Sequence, residues 1–178
     1  MAQKKRAKIG KSVSEIMASI GSSDTKPELA ARQWLWTHGY RYRKNDRTLP
    51  GTPDIVVSAA RVAIFIHGCF WHRHEGCSMA TMPKSNVEFW QAKFSRNVTR
   101  DQRVREQLRQ LGWRTMVIWE CQLKKDKVEE TMALAAHLLD QAREEWELQR
   151  STRRPMQIRQ YDQDDDDNML LAAEPEEY

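Results

Sequence analysis

Apolar residues recur along this chain in three rhythms, and the rhythms sketch its elements. Val13, Ile16, Met17 and Ile20 fall at helical spacing, predicting a short amphipathic stretch. Thr25 and Glu28 make a capping-box pattern with Pro27 in the first turn. They launch a helix that carries Leu29, Trp34 and Leu35 and stops at Gly39. Tyr40 to Arg43 alternates like a strand, and Asn45-Asp46-Arg47 reads as a turn. The loop Leu49-Pro50-Gly51-Thr52-Pro53 delivers Asp54 onto a strand, Ile55 to Val57. Two more short apolar runs, Val62 to Ile66 and Thr115 to Trp119, read as buried strands. A long helix is predicted over about 86–110. A second, over 126–149, carries Val128, Met132, Leu134, Ala135, Leu138, Leu139 and Trp146. The order helix, three strands, helix, strand, helix predicts an α/β fold with a mixed central sheet flanked by helices.

Charge divides the chain unevenly. Of 178 residues, those from 151 onward hold eight acids and three arginines, while 1–150 hold 26 basic and 17 acidic side chains. The organisation expected is a flexible basic arm (1–11, with Lys4, Lys5 and Arg6), a folded domain over 12–149 and an acidic, disordered tail over 150–178. A cationic folded part suits a partner with a phosphate backbone. No window is apolar for the roughly 18 residues of a membrane span, and the N-terminus lacks the core of a secretory signal, so a cytoplasmic protein without membrane contact is expected. Three cysteines, an odd number, argue for thiols used as thiols.

The chemistry concentrates in one run. His67-Gly-Cys-Phe-Trp-His72-Arg-His74-Glu-Gly-Cys77 holds three of the five histidines and two of the three cysteines. His74-x-x-Cys77 has the spacing of a zinc half-site that Cys121 could close, and composition leaves the fourth ligand open. The alternative is that both cysteines are merely small apolar residues. Asp54 is placed to hold Mg²⁺ against a phosphate, and His72 to take a proton from water. Polar neighbours predict that Phe70 and Trp71 are not buried together and can stack on or wedge between bases, whereas Phe89-Trp90 is equally readable as core.

Several motifs in one order resemble the very short patch repair endonucleases. They are Leu-Pro-Gly-x-Pro-Asp54, His67-Gly-Cys-Phe-Trp-His72, Glu88-Phe-Trp90, Arg96-Asn-Val-x-Arg-Asp101, and Leu111-Gly-Trp-Arg with Trp119-Glu-Cys121. The resemblance covers roughly 12–123 and implies a restriction-endonuclease-like core with a structural zinc site. It implies that Asp54 and the Ile66 backbone carbonyl hold catalytic Mg²⁺, with His72 as general base, His67 on the phosphate or leaving group and Glu28 near the metals. Asp101, His74, Cys77 and Cys121 would hold Zn²⁺. Phe70, Trp71 and Trp90 would enter the duplex from the major groove beside the mismatch, and Met17 would cross the minor groove, with the basic arm on DNA. The implied reaction nicks one strand 5′ of the thymine in T·G mismatches left by deaminated 5-methylcytosine. The implied setting is a bacterial nucleoid-associated monomer linked to a cytosine-5 methyltransferase and to mismatch-repair proteins. The usual second acid and lysine of restriction-type nucleases are missing after Asp54, a gap the family shares. Gly76 lengthens the zinc loop by one residue, and Ile66 stands where a threonine can occur. Two other readings stay open: a less selective nuclease serving a restriction locus, and a zinc-stabilised module that binds distorted DNA without cutting.

Overall fold

A computed structural model describes residues 24–152. The basic arm with Lys4, Lys5 and Arg6, the amphipathic stretch with Met17, and the tail beyond 152 lie outside the described residues. Helix α1 (Lys26–Thr37) leads through β1 (Arg43–Lys44) and β2 (Ile55–Val57) to β3 (Val62–His67). Helix α2 (Val87–Gln110) then crosses to β4 (Arg114–Trp119), and α3 (Val128–Thr152) follows. The sheet runs β1-β2-β3-β4, antiparallel between the first three and parallel between β3 and β4. A parallel pair cannot be joined by a tight turn, which is why α2 stands between its two strands. The architecture is α/β with a mixed sheet, as the order of elements predicts.

Both faces of the sheet are covered, and strand alternation sorts side chains between them. Ile55, Val57, Val62 and Ile64 face one way, onto Ala31 and Leu35 of α1 and onto Met132, Ala135 and Leu139 of α3. Val56 and Ala63 face the other, onto Leu108 of α2 and Trp113, with Leu49, Phe65 and Val104 closing that smaller core. Burial on two sides makes Ile55–Val57 a continuous apolar run with no visible alternation.

Three expectations are corrected. The strand foreseen at Tyr40 to Arg43 is instead the two residues Arg43–Lys44, which pair with Val56 and Ile55 of β2. Tyr40 and Tyr42 pack on the main core instead, and their hydroxyls donate to Asp140 (2.8 Å) and to the Arg32 carbonyl (3.1 Å). The capping box takes another form. The Thr25 hydroxyl donates to Glu28 Oε1 (2.8 Å), and Oε2 accepts the N–H of Asp24 (2.9 Å) rather than that of Thr25. Leu29, Leu134 and Leu138 are exposed, so the helices bury narrower stripes than their apolar residues suggest. In α1 that stripe is Glu28, Ala31, Arg32 and Leu35, half of it charged. Buried charge has to be paired, and its pairing leads to the site.

Candidate active site

A cleft of about 920 Å³ opens at the end of the sheet where β3 and β4 finish, and Glu28, Asp54, His67, His72 and Asp101 all line it. Asp54 reaches it from the loop 49–53. Gly51 there has φ +74°, and a Cβ on it would lie 2.5 Å from Val104 Cγ1, so only glycine lets the loop press against α2. Asp54 is fixed at both ends. Its carbonyl accepts Arg32 Nη2 (3.0 Å) and the Asn45 N–H (3.3 Å), and its Oδ2 accepts the Ile66 N–H (2.7 Å). That N–H is free to do so because the β2–β3 ladder ends at Ile55↔Ile64. Burial raises the Asp54 carboxyl to about 6, against the lowering by the Ile66 N–H, and the Glu28 carboxylate raises it further. Arg32, 4% exposed, joins these acids: it donates to Glu28 (3.2 Å), Asn45 (2.9 Å) and Asp24 as well as to Asp54.

His67 ends β3, buried, with its ring stacked on His72 at 3.8 Å between centroids. Burial, then the neighbouring His72, pushes the His67 imidazole down to about 4, so it is neutral at physiological pH. His72 Nδ1 lies 2.5 Å from Asp101 Oδ2. A carboxylate accepting at Nδ1 places the imidazole proton there and leaves the Nε2 lone pair available to take one. Asn97, one turn before Asp101 on α2, donates to the Trp71 carbonyl (3.1 Å) and ties the His72 loop to that helix.

Beside the cleft, donor atoms of Cys69, His74, Cys77 and Cys121 all lie within 4.8 Å of one another. His74 Nδ1 is 3.5 Å from Cys69 Sγ and 3.4 Å from Cys121 Sγ. A tetrahedral ion at roughly 2.3 Å from sulfur and 2.0–2.1 Å from nitrogen would set that edge at about 3.6 Å, so the donors fit zinc in type and spacing. Asp101, expected in this group, lies outside it. Asp101 is engaged by His72, and Cys69, fully buried, takes the fourth place. The turn that brings it there is local, with the His74 N–H donating to the Cys69 carbonyl (3.0 Å). Burial pushes the Cys69 thiol up, while the Met79 backbone N–H holds Cys77 down. Along 67–77 the two centres thus interleave: His67 and His72 belong to the cleft, Cys69 and His74 to the four-donor group.

Phe70 and Trp71 are both half-buried, neither of them enclosed in the core. Phe70 packs edge-on against Trp71 (5.2 Å), Trp90 (5.5 Å) and Phe94 (5.0 Å). Trp90 is only 8% exposed and lies beneath them, whereas its neighbour Phe89 is 54% exposed. Trp71 still lines the cleft, with Lys93 Nζ 5.1 Å from its ring. The residues not foreseen are Arg32, Cys69 and Phe94. Arg32 stands four residues after Glu28, the spacing of an intrahelical ion pair, which was the available signal. Cys69 lay inside the motif already singled out.

Comparison with known proteins shows the family. The family model described as DNA mismatch endonuclease Vsr matches residues 8–78. The type II nicking enzyme V.NmeAIP of Neisseria meningitidis is 44% identical over 113 residues, 64% of this chain and 80% of its own. The type II nicking enzyme V.XorIIP of Xanthomonas oryzae is 45% identical over 108 residues, 61% of this chain and 79% of its own. This chain belongs to the Vsr family. The DNA mismatch endonuclease Vsr of Escherichia coli is 42% identical over 111 residues, 62% of this chain and 70% of its own. As a Vsr-family protein the chain is a DNA endonuclease of mismatch repair, a hydrolase whose substrate is DNA. No helix among the described residues is long and apolar enough to cross a membrane.

Proposed function

We propose that this Vsr-family endonuclease nicks one strand of duplex DNA 5′ of the thymine in T·G mismatches that arise when 5-methylcytosine deaminates. The observation that carries the reading is the convergence of Asp54 and the His72–Asp101 pair on one cleft walled by Trp71. Pure recognition of distorted DNA has no use for a half-buried carboxylate facing an imidazole that a second carboxylate holds.

In this reading His72 Nε2 takes a proton from the attacking water, whose oxygen bonds to phosphorus as the bond to the leaving sugar oxygen breaks. Asp101 stabilises the imidazolium that forms. Neutral His67 donates a hydrogen bond to the phosphate or the leaving oxygen without adding charge. Asp54 and the Ile66 carbonyl would hold Mg²⁺, with Glu28 close by. A strand residue points its N–H and C=O to the same edge, and the Ile66 N–H already faces Asp54. Bound there, Mg²⁺ supplies Lewis-acid polarisation of the phosphoryl oxygen and offsets charge on the leaving group. Cys69, His74, Cys77 and Cys121 would hold a structural Zn²⁺. Phe70 and Trp71 would wedge beside the mispaired thymine, braced from below by Trp90; a weakened pair costs least to unstack. The protein would act as a monomer in the bacterial cytoplasm, partnered functionally with a cytosine-5 methyltransferase and mismatch-repair proteins. The basic arm and Met17 would add contacts to the DNA, around a single endonuclease domain over 12–149.

A second reading is a less selective nicking enzyme serving a restriction locus, which the names of the Neisseria and Xanthomonas relatives favour. A Mg²⁺ nicking assay on duplexes identical except for one pair, T·G against C·G, with each strand labelled in turn, tests both. A single cut beside the thymine, absent from paired DNA, supports the first reading. Cutting of both duplexes supports the second, and binding without cutting refutes the catalytic assignment. Asp54→Ala should abolish the cut and leave binding largely intact.

A further inference from the structure

The cleft carries positive charge on both walls that the chemistry above does not use. Arg47 projects from the turn after β1, and Arg100 and Arg105 project from α2, all three lining the cavity that holds Asp54 and His72. Among the described residues Arg47 and Arg105 have no ion-pair partner, and Arg100 stands 3.6 Å from Asp101 with its side chain 62% exposed. Several arginines elsewhere in the fold are engaged, among them Arg114 with Glu145, Arg143 with Asp140 and Arg109 with Glu106.

Both walls are held in fixed relation to Asp54. On α2, Asp101 and Val104 point inward, one to His72 and the other against Gly51 in the loop that carries Asp54. Arg100 and Arg105 flank that inward line on either side. Five residues of helix separate them by about 7.5 Å along the axis, far enough for the two guanidinium groups to meet different phosphates of one strand. Across the cleft, Asp46 braces the turn that presents Arg47. It accepts the Thr48 N–H (3.0 Å) and hydroxyl (2.6 Å), and pairs with Arg43 (3.0 Å).

We propose that Arg47, Arg100 and Arg105 form a backbone clamp. Arg100 and Arg105 take phosphates of the strand that lies along α2, on either side of the scissile one, and Arg47 takes a phosphate on the facing wall. The clamp deepens the endonuclease reading and rests on it: it sets the register that brings one phosphate over Asp54 and His72. Its contribution is independent of base sequence, because phosphate contacts position a duplex without reading it.

The test is the salt dependence of binding by the full-length protein without Mg²⁺, on fluorescent duplexes with and without one T·G pair, between 50 and 200 mM NaCl. Each lost phosphate contact should reduce the slope of log affinity against log salt by about 0.9. Arg47→Ala, Arg100→Ala and Arg105→Ala should each show that reduction equally on both duplexes. Arg105→Lys, which keeps the charge, should keep the slope, and Arg143→Ala on α3 should match wild type. All three arginines lie at the surface, so the variants should fold. Slopes unchanged in the three alanine variants, or a loss confined to the mismatched duplex, would overturn the clamp. The nicking assay with Mg²⁺ is separate: reduced slopes in a protein that cuts neither duplex would keep the clamp and remove the endonuclease reading.

Discussion

Replacing Asp101 by asparagine separates two roles this residue was offered, and the geometry commits to one of them. In the structure its Oδ2 faces His72 Nδ1 at 2.5 Å and it stands apart from the four sulfur and nitrogen donors. Asparagine keeps the size and removes the charge. Its amide can also present N–H to Nδ1, which forces the imidazole proton onto Nε2, the atom that must accept one. Positioned general-base catalysis contributes about 10²–10⁴-fold, so Asp101→Asn should slow nicking by that range. This corresponds to roughly 3–5 kcal/mol of transition-state stabilisation at about 1.4 kcal/mol per decade. DNA affinity should hold or tighten slightly, since a negative charge leaves the cleft. Zinc content, read by elemental analysis of the purified protein, should equal wild type. Single-turnover nicking with saturating enzyme isolates the chemical step from binding. Loss of zinc with Asp101→Asn, or nicking at the wild-type rate, would refute the dyad and return Asp101 to the metal group.

The other predictions are briefer. Cys69→Ser should lower bound zinc and melting temperature together, because the free energy of structural zinc binding is folding free energy; zinc retained at one equivalent would exclude Cys69 as a ligand. Gly51→Ala combines φ +74° with a 2.5 Å approach to Val104, and overpacking alone costs about 1–3 kcal/mol. It should reduce both stability and nicking, and a wild-type denaturation midpoint would show that the loop relaxes freely. Asp46 is held below the usual carboxylate range by the Thr48 hydroxyl and N–H. A depressed pKa in the folded state means stability present above the unfolded value and lost as pH falls through the folded one. The stability difference between wild type and Asp46→Asn should therefore shrink as pH drops from 6 to 3, and a constant difference would contradict the assignment.

The strands were legible in the sequence because a sheet covered on both faces buries most residues of its central strands, leaving short apolar runs at Ile55–Val57 and Val62 to Ile66. The helix Val87–Gln110 was legible from its length and from Gly112 beyond its end. What could not be read was which distant partner each functional group meets. Asp101 lies 29 residues from His72 in sequence, and only the packing of α2 on the sheet decides that it meets that imidazole and not the donors of Cys69, His74, Cys77 and Cys121. Cys69 was hidden differently. It sits within the motif that carries the chemistry, yet its inward turn depends on a loop fold that periodicity does not encode. Phe89-Trp90 looked like either core or wedge, and the structure buries Trp90 while leaving Phe89 exposed.

The interleaving along 67–77 has a consequence for control. Cys69 and His74 bracket Phe70, Trp71 and His72, so the segment proposed to touch DNA and move the proton is strung between two members of the four-donor group. A chain that fails to close that group loses the tether on its proton acceptor and its aromatic edge in the same event. Incompletely matured copies would then be silent rather than indiscriminate, a safe default for an enzyme whose errors are breaks in the genome.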